Sequence, residues 1–307
     1  MLETALPRAQ KESNGRVQIY AECEVTKIST AGNGGRRRAT RVIGRLSDGR
    51  TVNVEAKKVI VSAGTIASSY LLMQSGIGRG LPVGEGLSFN MGAPLTADFD
   101  ERLDSYKGLQ ISHYGVPRRG RGWVFETWFN PPVAQAINMP GWFERHYANM
   151  RRYPHLMAVG VLVGTEPNGR VERALTGGAD VLFEPTREDR LKLADGLIEL
   201  GRILFAAGAK RVMVNAWNDY EFMSPHTLGQ ILPIALDPRE LTLGTGHPQG
   251  GNALSQHPER GVVGPDFRVH GYENLYVCDA SVFPSSLTVN PQFTVMALAH
   301  YAAQRIA

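Results

Sequence analysis

The sequence predicts an α+β protein, a mixed α/β chain of two units, and three stretches carry that prediction. First, Val59-Ile60-Val61 is a continuous apolar run that enters Ala63-Gly64-Thr65 and then a helical stretch from Ser68 to Ser75. A strand that is apolar throughout suits burial on both faces, as in a parallel pair. Second, strand-like runs at 109–115, 122–129 and 155–164 precede a helix from Arg187 to Ala207. Strands followed by a covering helix give an antiparallel sheet with the helix on one face. Third, Asn274 to Cys278 is a short apolar strand that ends on Asp279-Ala280-Ser281, and Asn290-Pro291 opens an apolar helix to the C-terminus.

The remaining elements follow in order. Residues 17–28 partly alternate and are rich in valine and isoleucine, which reads as a strand. Residues 40–46 and 51–61 are two more strands, joined by Ser47-Asp48-Gly49-Arg50, whose Asp-Gly suits a hairpin turn. Residues 82–150 are rich in Gly, Pro and aromatic residues and show little periodicity. In the helix from Arg187, Leu191, Leu193, Leu197, Ile198, Leu200, Ile203, Leu204 and Phe205 supply the apolar face, and Gly208 marks its end.

Composition excludes several classes. The 307 residues are 43% hydrophobic and 20% charged, the balance of a globular chain rather than a disordered one. The net charge is +4, and its clearest basic cluster, Arg36-Arg37-Arg38 beside Gly32-Asn33-Gly34-Gly35, reads as a solvated hairpin turn, with a nucleic-acid patch as the alternative. No apolar run is long enough to span a membrane, and the polar N-terminus lacks a signal-peptide core, so we expect a cytoplasmic protein. Cys23 and Cys278 lie far apart in strand-like runs and read as buried thiols. No H-E-x-x-H, C-x-x-C or acidic calcium loop occurs, so no metal site is expected. The G-x-S-x-G elbow of a serine hydrolase is missing too.

Four positions carry candidate chemistry. A strand feeding the Ala63-Gly64 turn and a helix N-terminus is a place for a phosphate or ring edge, or simply a site of close packing. His247 sits in the Gly/Pro-rich loop Gly244-Thr245-Gly246-His247-Pro248. It is either a loop histidine that satisfies local backbone or a base titrating near neutrality. Asp279, at a strand end, is a turn-former or a ligand contact. Asn290 before Pro291 is a natural N-cap, with proline suited to the first helical position.

Two blocks together tip these alternatives. The run His247-Pro248-Gln249-Gly250-Gly251, then GYENLYVCDASVFP, then Val289-Asn290-Pro291 before a terminal helix, resembles the C-terminus of the glucose–methanol–choline (GMC) flavin oxidoreductases, nearest their cholesterol-oxidase-like members. Gly64 to Gly78, GTIASSYLLMQSGIG, is similar to that family's second signature. The resemblance implies FAD as cofactor, with a partial FAD/NAD(P)-binding-type domain at residues 1–85 and 240–307. It implies a substrate domain of antiparallel sheet and helix at 86–239. Ala63, Gly64, Asp279 and Ala280 would lie against FAD, and the strand at Val25 would face its adenine. Asn290, Pro291 and Gln292 would set the helix N-terminus at the pyrimidine edge of the flavin, where its partial positive charge favours the anionic reduced ring.

The implied activity is oxidation of an alcohol to an aldehyde or ketone, with His247 taking the hydroxyl proton as hydride leaves for the flavin. Asn290 matches the second active-site position, which is His or Asn in the family. Two departures stand out. Val83-Gly84-Glu85-Gly86-Leu87 has glycine where the family's V-G-x-N-L loop has asparagine. No G-x-G-x-x-G follows an early strand, so the sequence reads as lacking the N-terminal FAD-binding βαβ segment, as in a truncated or split member served by a separate FAD-binding chain. The alternative function is a catalytically silent fragment acting as a binding or structural module.

Overall fold

The computed structural model describes residues 3–33, 37–118 and 120–306. The loop glycines Gly34 and Gly35 and the basic residue Arg36 lie outside the described residues. A short helix, α1 (Ala5–Glu12), precedes three antiparallel strands, β1 (Cys23–Ala31), β2 (Arg38–Leu46) and β3 (Thr51–Val54). The Asp48-Gly49 turn closes the second hairpin: Gly49 N–H donates to Leu46 O and Asp48 Oδ1 accepts Arg50 N–H. The expected strand at 51–61 breaks in two, because Glu55-Ala56-Lys57-Lys58 leaves the hairpin. Its second half is β4 (Val59–Val61), which leads into α2 (Thr65–Gln74). Residues 17–20 form no strand, and Val17, Ile19 and Tyr20 are exposed.

Next comes β5 (Glu85–Asp98), the longest strand, buried almost end to end. It lies in the stretch 82–150, at positions where the sequence shows no strand-like run. A strand covered on both faces has no polar–apolar alternation to betray it, and Pro94 and Gly92 interrupt its apolar run. β6 (Tyr114–Gly115) and β7 (Trp123–Thr127) follow, so of residues 109–115 only the last two pair. α3 (Pro132–Asn138) and α4 (Phe143–Arg151) lead to β8 (Leu156–Gly164), β9 (Gly169–Arg173) and β10 (Ala179–Leu182).

α5 (Arg187–Ala206) starts at a reciprocal cap: Thr186 Oγ1 accepts Asp189 N–H at 3.1 Å while Asp189 Oδ2 accepts Thr186 N–H at 3.0 Å. Leu193, Leu197, Leu200 and Leu204 are its buried face, each contributing roughly 1.5–3 kcal/mol of burial before entropy. Leu191 and Ile203 turn outward instead.

The chain then runs through β11 (Arg211–Val214), β12 (Tyr220–Phe222), α6 (Ile231–Leu236), β13 (Pro248–Gln249), β14 (Leu275–Val277) and α7 (Gln292–Ile306). β5 is the spine of a nine-stranded sheet in the order β10-β9-β5-β8-β7-β6, with β11 and β13 also pairing with β5. α5 packs across β5, β7 and β8. β14 pairs in parallel with β4, Leu275 opposite Val59 and Val277 opposite Val61.

The apolar interior has two centres. One joins β5, β8, β11, α5 and α6. The other joins β4, α2, β14 and α7 with Ile28 of β1. Cys23 and Cys278 are half-buried and unpaired. No helix among the described residues is long and apolar enough to cross a membrane.

Candidate active site

The junction of β4, α2 and β14 is held by one carboxylate. Asp279 Oδ2 accepts the Gly64 N–H at 2.9 Å and the Ser68 hydroxyl at 2.5 Å, and Oδ1 accepts the Ser281 N–H at 2.9 Å. Ser68 Oγ in turn accepts the Ala63 N–H at 3.0 Å. Ala63, Gly64, Asp279 and Ala280 therefore form one cluster, although 215 residues separate Gly64 from Asp279. The turn-forming role of Asp279 is real, since it caps the short 3-10 turn Ala280–Val282. The same carboxylate also fixes the first turn of α2. Val25 stands apart from this hydrogen-bonded cluster: it is 40% exposed on β1. β1 meets α2 farther along, where Ile28 N–H donates to Ser75 Oγ.

Beside this junction lies a cleft of about 330 Å³, lined by Asn90, Glu126, Trp128, Phe129, Leu162, His247 and Asn290 among others. The 244–249 loop that carries His247 is sewn to β5. Gly92 and Gly244 exchange backbone bonds at 2.8 and 3.0 Å, Thr245 Oγ1 donates to Asn90 O at 2.6 Å, and Pro248 pairs with Phe89. His247 Nδ1 lies 3.1 Å from Asn90 Oδ1. Burial pushes the His247 imidazole below its ordinary value, because a charged ring loses solvation there.

Asn290 reaches the same cleft from the other loop, on the side of the Glu126 carboxylate. Glu126 on β7 is 4% exposed. Burial pushes its carboxyl up, and the Asn290 amide pulls it back in part. α7 starts at Gln292, with Val295 N–H donating to Pro291 O. Pro291 thus sits one step before the first helical residue, and the Asn290 side chain turns into the cleft rather than lying at the expected cap position.

Trp128 forms one wall. Its indole lies on the glycine positions of β5 and β8: a Cβ added at Gly160 would come within 2.3 Å of the ring, and one at Gly92 within 3.3 Å. Asn90, Glu126 and Trp128 were not singled out by the sequence. A carboxylate inside the apolar run Trp123–Thr127 was the signal for Glu126. Three other histidines contact backbone carbonyls away from the cleft: His146 at Ala136 O, His155 at Asp100 O and Glu101 O, and His270 at Ser255 O. Among the described residues no cluster of His, Cys, Asp or Glu is placed to hold a metal ion.

The junction has room for a flat cofactor edge. Gly64 takes φ +88°, and the space that a Cβ would fill there is open. It opens a helix whose first N–H groups have no side-chain cap, so that end carries partial positive charge. Two buried polar atoms nearby, Asn252 Oδ1 and Ser281 Oγ, find no partner among the described residues. These residues fit a phosphate-bearing, ring-containing group.

A strand, glycine turn and helix locked to a second parallel strand, beside a histidine cleft, suit a flavoprotein oxidoreductase, and comparison with known proteins gives that class. Two family models, both described as GMC oxidoreductase, match residues 1–91 and 175–299, between them more than half of the chain. The chain belongs to the GMC oxidoreductase family, whose cofactor is FAD.

An uncharacterised GMC-type oxidoreductase of Mycobacterium tuberculosis is 31% identical over 263 residues, 85% of this chain and 42% of that protein. A long-chain-alcohol oxidase of Arabidopsis thaliana is 26% identical over 330 residues, 96% of this chain and 42% of that protein. A formate oxidase of Aspergillus oryzae shares the fold with a TM-score of 0.71 at 19% identity, over 93% of this chain and 60% of that one. The chain spans less than half the length of these two curated relatives.

One expectation is corrected here. The family's N-terminal segment is not absent, because its N-terminal model matches residues 1–91. The matched residues include the β1–β3 sheet, β4 and α2.

Proposed function

We propose that the chain supports FAD-dependent oxidation of an alcohol to an aldehyde or ketone, with His247 as base and Asn290 orienting the substrate oxygen. One observation carries this reading: His247 and Asn290, from separate loops, line a single cleft together with a buried carboxyl. When bound, FAD accepts the hydride equivalent from the carbinol carbon.

The protein's residues do the rest. His247, kept neutral by burial, takes the hydroxyl proton. The Asn290 amide offers both a donor and an acceptor to the substrate oxygen. Trp128, Phe129 and Leu162 give an apolar wall, and none of the residues lining the cleft is a lysine or arginine. A neutral alcohol fits such a lining better than an anionic one.

Around FAD, Ala63, Gly64, Asp279 and Ala280 would lie at the strand–turn–helix, Pro291 and Gln292 at the start of α7, and Val25 on β1. Residues 1–85 and 240–307 would serve the cofactor, and 86–239 the substrate. The two apolar centres support that division. Anaerobic mixing of the FAD-loaded protein with neutral primary and secondary alcohols tests the reading. Bleaching of the flavin by at least one of them is expected. A flavin that stays oxidised with all of them would favour a silent binding module.

A further inference from the structure

We infer that Asn90 is a positioning residue that locks His247 in the tautomer with its proton on Nδ1, leaving Nε2 bare as the base. The inference rests on the reading of His247 as the proton acceptor, but its geometry stands apart from that reading. Asn90 is 0% exposed, in the middle of β5. Its amide nitrogen donates to Thr288 O at 2.8 Å. A carbonyl can only accept, so this bond fixes which end of the amide faces which way. The oxygen end therefore faces His247, with Nδ1 at 3.1 Å. An amide oxygen also can only accept, so Nδ1 must carry the hydrogen. In a neutral imidazole the other nitrogen then holds the lone pair.

The same amide ties two loops together, because Thr288 belongs to the segment that ends in Asn290. A second amide repeats the tie. Gln249, also 0% exposed, accepts the Leu287 N–H at 3.0 Å and donates to His247 O at 3.4 Å. The base and Asn290 are thus set relative to each other by groups on β5 and β13 that need not touch substrate. Glu126 is the other titratable group lining the cleft, and the side-chain partner of His247 Nδ1 is Asn90, not Glu126.

The test is a long-range ¹H–¹⁵N correlation spectrum of the imidazoles in the histidine-labelled chain, which needs neither FAD nor alcohol. His247→Ala identifies the His247 signals among the 8 histidines. The wild-type chain should show a single neutral form with Nδ1–H and bare Nε2. Asn90→Leu should lose that pattern for a mixture richer in Nε2–H. Asn90→Asp, which keeps an acceptor at the same point, should retain Nδ1–H and raise the pH at which the ring protonates. In the flavin-reducing form, Asn90→Leu should slow reduction by about 10–10²-fold, the scale on which partners that orient an imidazole act.

A wild-type spectrum with Nε2–H would overturn the inference, and so would a folded Asn90→Leu chain with an unchanged spectrum. If Asn90→Leu does not fold, the wild-type and Asn90→Asp spectra decide. Failure of the proposed function is distinguishable: His247 would then show Nδ1–H while its removal left flavin reduction intact.

Discussion

The Asp279 carboxylate accepts the backbone N–H of Gly64 at 2.9 Å, a contact between residues 215 apart just past the ends of the parallel strands β14 and β4. Because the same carboxylate also receives the Ser68 hydroxyl and the Ser281 N–H, its loss leaves three donors without their acceptor. Asp279→Ala should lower stability by about 2–4 kcal/mol, since hydrogen bonds to a charged group contribute about 1.5–3 kcal/mol each and partly overlap. Denaturant unfolding measures this. A loss below about 0.5 kcal/mol, the scale of an ordinary surface change, would show that the carboxylate holds nothing together.

Glu126 makes a prediction with a sign. Its folded value lies above the ordinary carboxylate value. The folded state therefore binds a proton that the unfolded state has already released, and the charged form opposes folding. That penalty is absent below the unfolded value, grows as pH rises through the window between the two, and is fully present above the folded value. Glu126→Gln removes the charge, keeps the size and leaves an amide oxygen at the same point. It should raise the melting temperature at pH 8 and leave it nearly unchanged at pH 4. Equal shifts at both pH values would contradict this account.

Asn290→Asp sets a second carboxylate against Glu126. Like charges in one buried site push one value strongly upward. The variant should be less stable than the wild type at pH 8 and should recover as pH falls toward 5, as followed by thermal melts across that range. In the FAD-loaded form the added charge should also lower the flavin potential. A potential and a stability profile that match the wild type would return Asn290 to a purely structural role at the start of α7.

Gly160 tests the wall of the cleft. A Cβ there would meet the Trp128 ring at 2.3 Å, so the indole must move. Gly160→Ala should cost about 1–3 kcal/mol, the range for overpacking, and should weaken alcohol binding more than it slows the bound reaction. Trp128→Ala should widen the cleft and shift preference toward bulkier alcohols. Unchanged KM values in both variants would remove Trp128 from substrate contact.

How much of this was legible in the sequence varies with the kind of signal. That strands 59–61 and 274–278 serve one site was implied only by the resemblance, which places both blocks against one cofactor; their parallel register was not legible. The helix from Arg187 was legible, because its leucines recur on one face and Gly208 marks its end; the Thr186–Asp189 cap emerged only in the structure. β5 was not: its residues are buried almost throughout, so no period marks it, and Pro94 and Gly92 read as breaks. The break after Val54 was hidden as well, since the residues on either side of it suit a strand equally.

At the site, the histidine and the Asn290-Pro291 pair announce themselves by their unusual neighbours. Asn90, Glu126 and Trp128 do not, because what makes them matter is the register of β5 against β8 and β7, which brings distant residues onto one cleft. Asn290 shows the limit of local rules: α7 begins at Gln292, so Pro291 takes the position before the helix and Asn290 lines the cleft instead.

His247 carries the central claim. Because burial holds its imidazole below the ordinary histidine value, it should remain a competent base at pH values where a free histidine is half protonated, and the acid limb of flavin reduction should lie below 6.5. The decisive measurement is single-turnover reduction of bound FAD by an alcohol, wild type against His247→Ala, at matched flavin occupancy. The account predicts a rate lower by about 10²–10⁴-fold, the usual contribution of a positioned base, with flavin binding little changed. An unaltered rate in His247→Ala would contradict it.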